Sequence, residues 1–264
     1  MPPDGFFITG TDTGVGKTVV TTSLLRALMA EGANVAAYKP ACSGAEFSLV
    51  EETGTPGSLE NPHVAPRPYW GDVESLFSAT LERWPRERIC PQRFLAPLSP
   101  PAAAKQEGRS VDEALLVDGY RWLAGQAEMV VVEGAGGFYS PISANWLNAD
   151  LAERIALPVI VVSPNRLGTI NQTLLTIEAI RKRGLTVAGV VLNSLTMQPD
   201  ESFTTNSAEI EQRGVVRVWG QFPFQMSEQL QLGLLPETIW HAMRGFVSGG
   251  RLKRSLNASS SPLE

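Results

Sequence analysis

The chain has 264 residues, enough for one large domain, and its 22 Lys and Arg against 27 Asp and Glu give a formal charge of −5. With 19% charged residues there is no cationic face of the kind a polyanion requires, so nucleic acid is not an expected partner. The 43% hydrophobic content is that of a globular domain, no apolar run nears the roughly 18 residues that span a bilayer, MPPDGFFITG carries no cationic leader, and Cys42 and Cys90 make neither a disulfide framework nor a zinc site; the expectation is a soluble, cytoplasmic protein with no membrane partner.

No internal repeat is present, so the chain reads as one series of elements. FFIT (6–9) predicts a short buried strand; 17–31 carries Val20, Leu24 and Leu28 at helical spacing before Gly32; 35–39 is a second strand. Segment 44–70 holds Gly44, Gly54, Pro56, Gly57, Pro62, Pro66 and Pro68, too many breakers for a regular element, and reads as a loop insertion. Helices are expected over 71–84 and 110–124, with the prolines of 97–101 leading into a short helix through Gln106. The β-branched runs at 129–132 and 159–162 suit strands covered on both faces, and 169–182, 187–192, 200–212 and 215–219 continue as helix, strand, helix and strand. A last helix is expected over 237–246, and the polar tail 251–264 is set apart from a single domain spanning 1–250. This alternation predicts an α/β fold, a mainly parallel twisted sheet with helices on both faces.

Between the first strand and the first helix stands Gly10-Thr11-Asp12-Thr13-Gly14-Val15-Gly16-Lys17-Thr18. Small residues there let successive backbone N–H groups turn toward phosphates at the positive end of a helix, Lys17 adds a mobile cation, and the Thr18 hydroxyl suits Mg2+; this is the P-loop NTPase arrangement. Gly10 and Gly16 enclose five residues, one more than the usual GxxxxGKT pattern, so the loop is a variant. Partition and cell-division ATPases of this branch carry a signature lysine where Asp12 stands, and its absence argues against a plain ATP-driven switch. A second cation is then sought elsewhere, and Lys39, ending the second strand on the same carboxyl rim, is the candidate; taken alone, a strand-end lysine often just reaches water. Glu133 closes the 129–132 strand before Gly134-Ala135-Gly136-Gly137, the Walker B arrangement, where a buried carboxylate needs a compensating cation such as Mg2+; as an isolated residue it also reads as a surface acid or cap.

With GTDTGVGKT (10–18), YKPACSG (38–44), VEGAGGFYSPIS (132–143) and RLGTINQTLLT (166–176) in this order, and the likeness continuing through VVLNSLT (190–196) to GQFPF (220–224), the chain resembles the dethiobiotin synthetases, ATP-dependent enzymes that close the ureido ring of dethiobiotin. The resemblance implies a homodimer with the active site at the subunit interface, ATP as co-substrate, Mg2+, and 7,8-diaminononanoate and CO2 as the other substrates. It makes Lys17, Lys39 and Ser43 catalytic, and gives nucleotide binding to Asp12, Thr13, Gly14, Val15, Gly16, Lys17, Thr18, Asn193 and Pro223. It gives metal binding to Thr18, Glu133 and, less securely, Asp72, for which a mere helix cap is the lesser alternative, and substrate binding to Thr11, Ser43, Gly136, Gly168, Thr169 and Asn171, the 168–171 helix start serving the other subunit's pocket. Some relatives carry an acidic residue where Gly14 stands, so that contact is missing here.

Alone, Asn193 at a strand end is more often a turn former, and Cys42 is read as a small buried residue rather than a catalytic thiol. Lys17 and Lys39 are expected to be removable with little loss of folding. Two rival readings stand beside this one: an amide-forming synthetase related to cobyrinate enzymes, for whose usual glutaminase domain the chain leaves no room, and a non-biosynthetic ATPase switch.

Overall fold

The computed structural model describes residues 4–48, 67–198, 200–224 and 235–249. In chain order the strands are β1 (Asp4–Gly10), β2 (Val35–Tyr38), β3 (Ala41–Ser43), β4 (Glu46–Ser48), β5 (Arg67–Tyr69), β6 (Gln92–Phe94), β7 (Met129–Gly137), β8 (Val159–Pro164), β9 (Val187–Asn193) and β10 (Val218–Phe222). The helices are α1 (Lys17–Ala30), α2 (Gly71–Ala79), α3 (Arg86–Ile89), α4 (Pro100–Gln106), α5 (Glu113–Ala124), α6 (Asn148–Ile155), α7 (Thr169–Lys182), α8 (Asn206–Gly214) and α9 (Glu237–Gly249). Six strands form one parallel sheet in the order β10-β9-β8-β1-β7-β2. Val130, Val131 and Val132 are all fully buried although neighbouring strand residues point to opposite faces, so both faces of the sheet are covered.

β1 is the strand at which the order reverses, with β7 and β2 on one side and β8, β9 and β10 on the other. In an open parallel sheet the crevice above the carboxyl end of such a strand is where ligands collect, and here that end is Gly10, leading directly into the phosphate loop. α1 keeps the loop's far end in register: Val20, Leu24 and Leu28 are buried, each worth roughly 1.5–3 kcal/mol of apolar burial.

Several expectations are corrected. β7 does not end before Glu133 but runs on through Gly137, because a bulge opposite Ile8–Gly10 absorbs the extra residues and the Asn148 amide bonds the backbone of Ala135 and Gly137. Glu133 therefore sits inside the strand. The helix expected over 71–84 stops at Ala79, since Leu81 and Glu82 adopt positive φ, and Pro85 precedes the separate turn of α3. Segment 44–70 is not without regular structure: β4 and β5 pair antiparallel at its two ends, while 49–66 lie outside the described residues. The helix expected over 200–212 divides into a 3-10 turn (Glu201–Thr204) and α8, and Val215, left-handed at φ 46°, ends α8 so that the last strand is Val218–Phe222 rather than 215–219. The helix expected over 110–124 starts at Glu113, where the Asp112 carboxylate caps the Leu115 N–H. α6 had no expected counterpart, and the tail 251–264 lies outside the described residues.

Candidate active site

The phosphate loop is tied down from within. Asp12 Oδ1 accepts from the Thr13 N–H at 2.7 Å, the Asp12 carbonyl accepts from Lys17 Nζ at 3.1 Å, and Asn193 Nδ2 donates to the Val15 carbonyl at 2.9 Å. Gly16 precedes α1 at φ 91°, with no side-chain cap and no acid in the helix's first turn, so the positive helix end faces the pocket uncompensated. A Cβ at Gly16 would stand 2.0 Å from Asn193 Nδ2, so the close approach of loop and strand end requires glycine there.

Four charged side chains converge beside the loop. Lys39 follows β2 and is 4% exposed; its Nζ lies 2.5 Å from Asp72 Oδ2 and 2.6 Å from Glu133 Oε1. Thr18 Oγ1 is 2.9 Å from both Asp72 Oδ1 and Glu133 Oε1. β2 and β7 are paired neighbours, which brings Lys39 and Glu133 to the same rim, and Asp72 enters from the first turn of α2. Burial by itself would lower the Lys39 pKa, but Glu133 and Asp72 outweigh it and hold the ammonium well above its ordinary value. Asp72 shows the converse: burial pushes its carboxyl up, Lys39 and Thr18 pull it down further, and the net value is lowered. Lys17, 7% exposed, is shifted down, chiefly by burial, against the pull of Glu133.

These groups line a cavity of about 410 Å³ with Thr13, Gly14, Gly16, Ser43, Cys42 and Gly136 among its walls. Burial raises the Cys42 thiol to about 11, so it stands in the wall as a neutral thiol. Ser43 Oγ donates to the Leu98 carbonyl at 2.5 Å. Glu133 is fully buried and its Oε2 has no hydrogen-bond partner among the described residues, an arrangement that suits a cation more than it suits water-free protein. Two carboxylates and a threonine hydroxyl are hard oxygen donors, a set whose chemistry suits Mg2+.

Other expected site residues lie apart from this cavity's walls. Thr11 is half-buried, its hydroxyl 3.2 Å from Ser163 Oγ; Asn193 lies beneath the loop; Pro223 is exposed beyond β10. Gly168 and Asn171 are exposed at the start of α7, while Thr169 is buried with its hydroxyl 2.7 Å from Ser163 Oγ and its N–H bonded to the Arg166 carbonyl. The Thr169 N–H is thus not a free donor for a ligand. Two contributors were not read from the sequence: Asn148, whose amide holds the glycine segment of β7, and Ser163. Their signals are thin, an Asn opening a short amphipathic stretch and one serine ending the apolar run VIVV.

A family model described as an AAA domain matches residues 4–229. The ATP-dependent dethiobiotin synthetase BioD of Anaeromyxobacter dehalogenans (strain 2CP-C) is 46% identical over 206 residues, covering 78% of this chain and 83% of its own. The protein of the same name from Rhodopirellula baltica (strain DSM 10527 / NCIMB 13988 / SH1) is 33% identical over 259 residues, covering 94% of this chain and 92% of its own. Among solved structures, a ParA family ATPase from Chlorobium tepidum TLS aligns over 96% of both chains at 13% identity, with a TM-score of 0.45.

Proposed function

The chain belongs to the ATP-dependent dethiobiotin synthetase family, and from that membership we propose how its pocket carries out the reaction. The protein is an ATP-dependent ligase of dethiobiotin synthesis. One amine of 7,8-diaminononanoate loses a proton and forms an N–C bond to CO2, giving a carbamate. A carbamate oxygen attacks the γ-phosphorus of ATP and ADP departs, leaving a carbamic-phosphoric anhydride. The second amine then attacks the carbamoyl carbon, and phosphate leaves as the ureido ring closes. No nucleophilic side chain takes part, so the protein's share is positioning and charge neutralisation.

The loop Asp12–Thr18 holds the phosphates, with Lys17 on the β- and γ-phosphate oxygens. Thr18, Asp72 and Glu133 would hold Mg2+, which when bound neutralises charge on the same oxygens. Lys39 stabilises the transferring phosphoryl group and the carbamate, with Ser43 beside it, and Thr11 and Gly136 border the diamine. Asn193 and Pro223 flank the base. The observation that carries this reading is the second buried lysine, held between two carboxylates at the mouth of the phosphate loop. A switch ATPase with one loop lysine has no use for it.

We further propose a cytoplasmic homodimer of single-domain subunits, in which Gly168, Thr169 and Asn171 of α7 serve the partner subunit's pocket. In support, these residues do not line their own pocket, and Leu175 on α7 and Leu167 before it are exposed, at 58% and 80%. Among the described residues no helix is long and apolar enough to cross a membrane. Incubation with the diamine, bicarbonate, Mg2+ and ATP is expected to yield dethiobiotin and ADP in equal amounts; ATP hydrolysis indifferent to the diamine would overturn the reading.

A further inference from the structure

The two fourteen-residue helices, α1 and α7, begin alike. Each is preceded by a left-handed glycine, Gly16 at φ 91° and Gly168 at φ 93°, each lacks a side-chain cap, and neither has an acid in its first turn. Both helix dipoles favour an anion at these ends, although at α7 the Thr169 N–H is already bonded to the Arg166 carbonyl and the Leu167 N–H to the Asp200 carboxylate. Between them stands Ser163, fully buried near the carboxyl end of β8, with three hydroxyls around it: Thr11 at 3.2 Å, Thr169 at 2.7 Å and Thr173 at 2.9 Å.

A serine hydroxyl has one proton to give and two lone pairs to receive with, so three links saturate it. Thr173 donates to Ser163. Of the remaining two links, Ser163 must donate in one and accept in the other. The proton order on the Thr11 side is therefore set by the order on the Thr169 side. Thr11 also hangs from β8 through its N–H on the Val162 carbonyl at 3.0 Å, and it adjoins Asp12, whose carbonyl holds Lys17. A change at the start of α7 thus has a polar path to Thr11, the chain neighbour of the residue whose carbonyl holds the phosphate lysine.

We infer that Ser163 is a positioning residue that couples nucleotide binding at the phosphate loop to carboxylate binding at the N-terminus of α7. The inference rests on the function proposed above, which gives the two helix ends a phosphate and a substrate carboxylate. In a homodimer whose α7 serves the opposite pocket, the same hydroxyl relays occupancy from one site to the other.

The test is the affinity for a non-hydrolysable ATP analogue, titrated calorimetrically with Mg2+ in the absence and presence of saturating diamine. The parent protein is expected to bind the analogue about fivefold or more tightly when the diamine is present, the low end of ordinary coupling. Ser163→Ala is expected to bind the analogue alone within about twofold of the parent and to lose the effect of the diamine. Thr173→Val frees one lone pair of Ser163, which can then accept from Thr11 and Thr169 alike, and is expected to weaken the coupling less than Ser163→Ala, since the Thr11–Ser163–Thr169 path remains. If Ser163→Ala keeps it, or if Thr173→Val loses it equally, Ser163 is only a packing residue and the inference is overturned. Should Ser163→Ala fail to fold, Ser163→Cys, which keeps the side chain's shape and weakens every link through it, is judged by the same criterion. A parent protein that makes dethiobiotin yet shows no coupling overturns this inference alone; one that makes none overturns the proposed function with it.

Discussion

Lys39 is held by two carboxylates of unequal exposure: Glu133 shows no side-chain surface, whereas 43% of the Asp72 side chain is exposed. Screening weakens the Asp72 half of the pair, so the burial of Glu133 dominates. Lys39→Met would leave Glu133 an uncompensated buried charge, and its expected cost is about 3–5 kcal/mol, more than the sequence led one to expect. The double variant Lys39→Met/Glu133→Gln is expected to recover most of that loss in urea unfolding while turnover stays about 100-fold or more below the parent. A double variant as unstable as the single would refute the charge argument.

Lys17 behaves differently because the neighbouring carboxylates do not outweigh its burial, and its pKa is lowered. Between its folded value and the unfolded value of about 10.4 the unfolded chain binds more protons, so stability rises with pH across that window. Lys17→Met is expected to lack this rise, to unfold no more readily than the parent at neutral pH, and to lose turnover. Superimposable curves of urea midpoint against pH for the two proteins would contradict it.

At the scale of elements, the strand, loop and helix from β1 to α1 were legible because apolar run, glycines and amphipathic spacing coincide within a short stretch. Lys39 and Glu133 were legible as residues but not as a pair, since the contact spans 94 positions and depends on β2 lying beside β7. The extension of β7 was not legible: Gly134, Gly136 and Gly137 announce a loop, and what keeps them in a ladder is an amide 13 residues away from Ala135. Val215 is likewise a β-branched residue that reads as strand yet adopts the left-handed conformation ending α8. α6 is short, and its buried Leu151, Ala152 and Ile155 give too brief a period to read. Asn148→Ala would orphan the Ala135 N–H and deprive several carbonyls of a donor, at an expected cost of about 2–3 kcal/mol. Because Gly136 belongs to the pocket wall, the diamine KM is expected to rise more than kcat falls. Lost stability with an unchanged KM would show that the glycine segment does not shape the substrate site.

For the molecule as a whole, the proposed dimer divides each active site between a phosphate pocket and an α7 from the partner. Lys39→Met damages the first half; Thr169→Pro damages the second, breaking the Thr169–Arg166 bond that sets the helix start. Each variant alone is expected to be nearly inactive. Subunits exchanged in equal amounts should regain about a quarter of parent activity, because each mixed dimer contains one intact site. No recovery after demonstrated exchange would place both halves of the site within one subunit.

The most direct measurement follows the oxygen of the carbamate. With bicarbonate labelled with heavy oxygen, a single turnover is expected to release phosphate carrying one labelled atom, because the bond that forms at the γ-phosphorus comes from the carbamate and stays with phosphorus when the ring closes. Unlabelled phosphate, released alongside dethiobiotin, would mean that water rather than carbamate attacks ATP, and the proposed use of the pocket would be wrong.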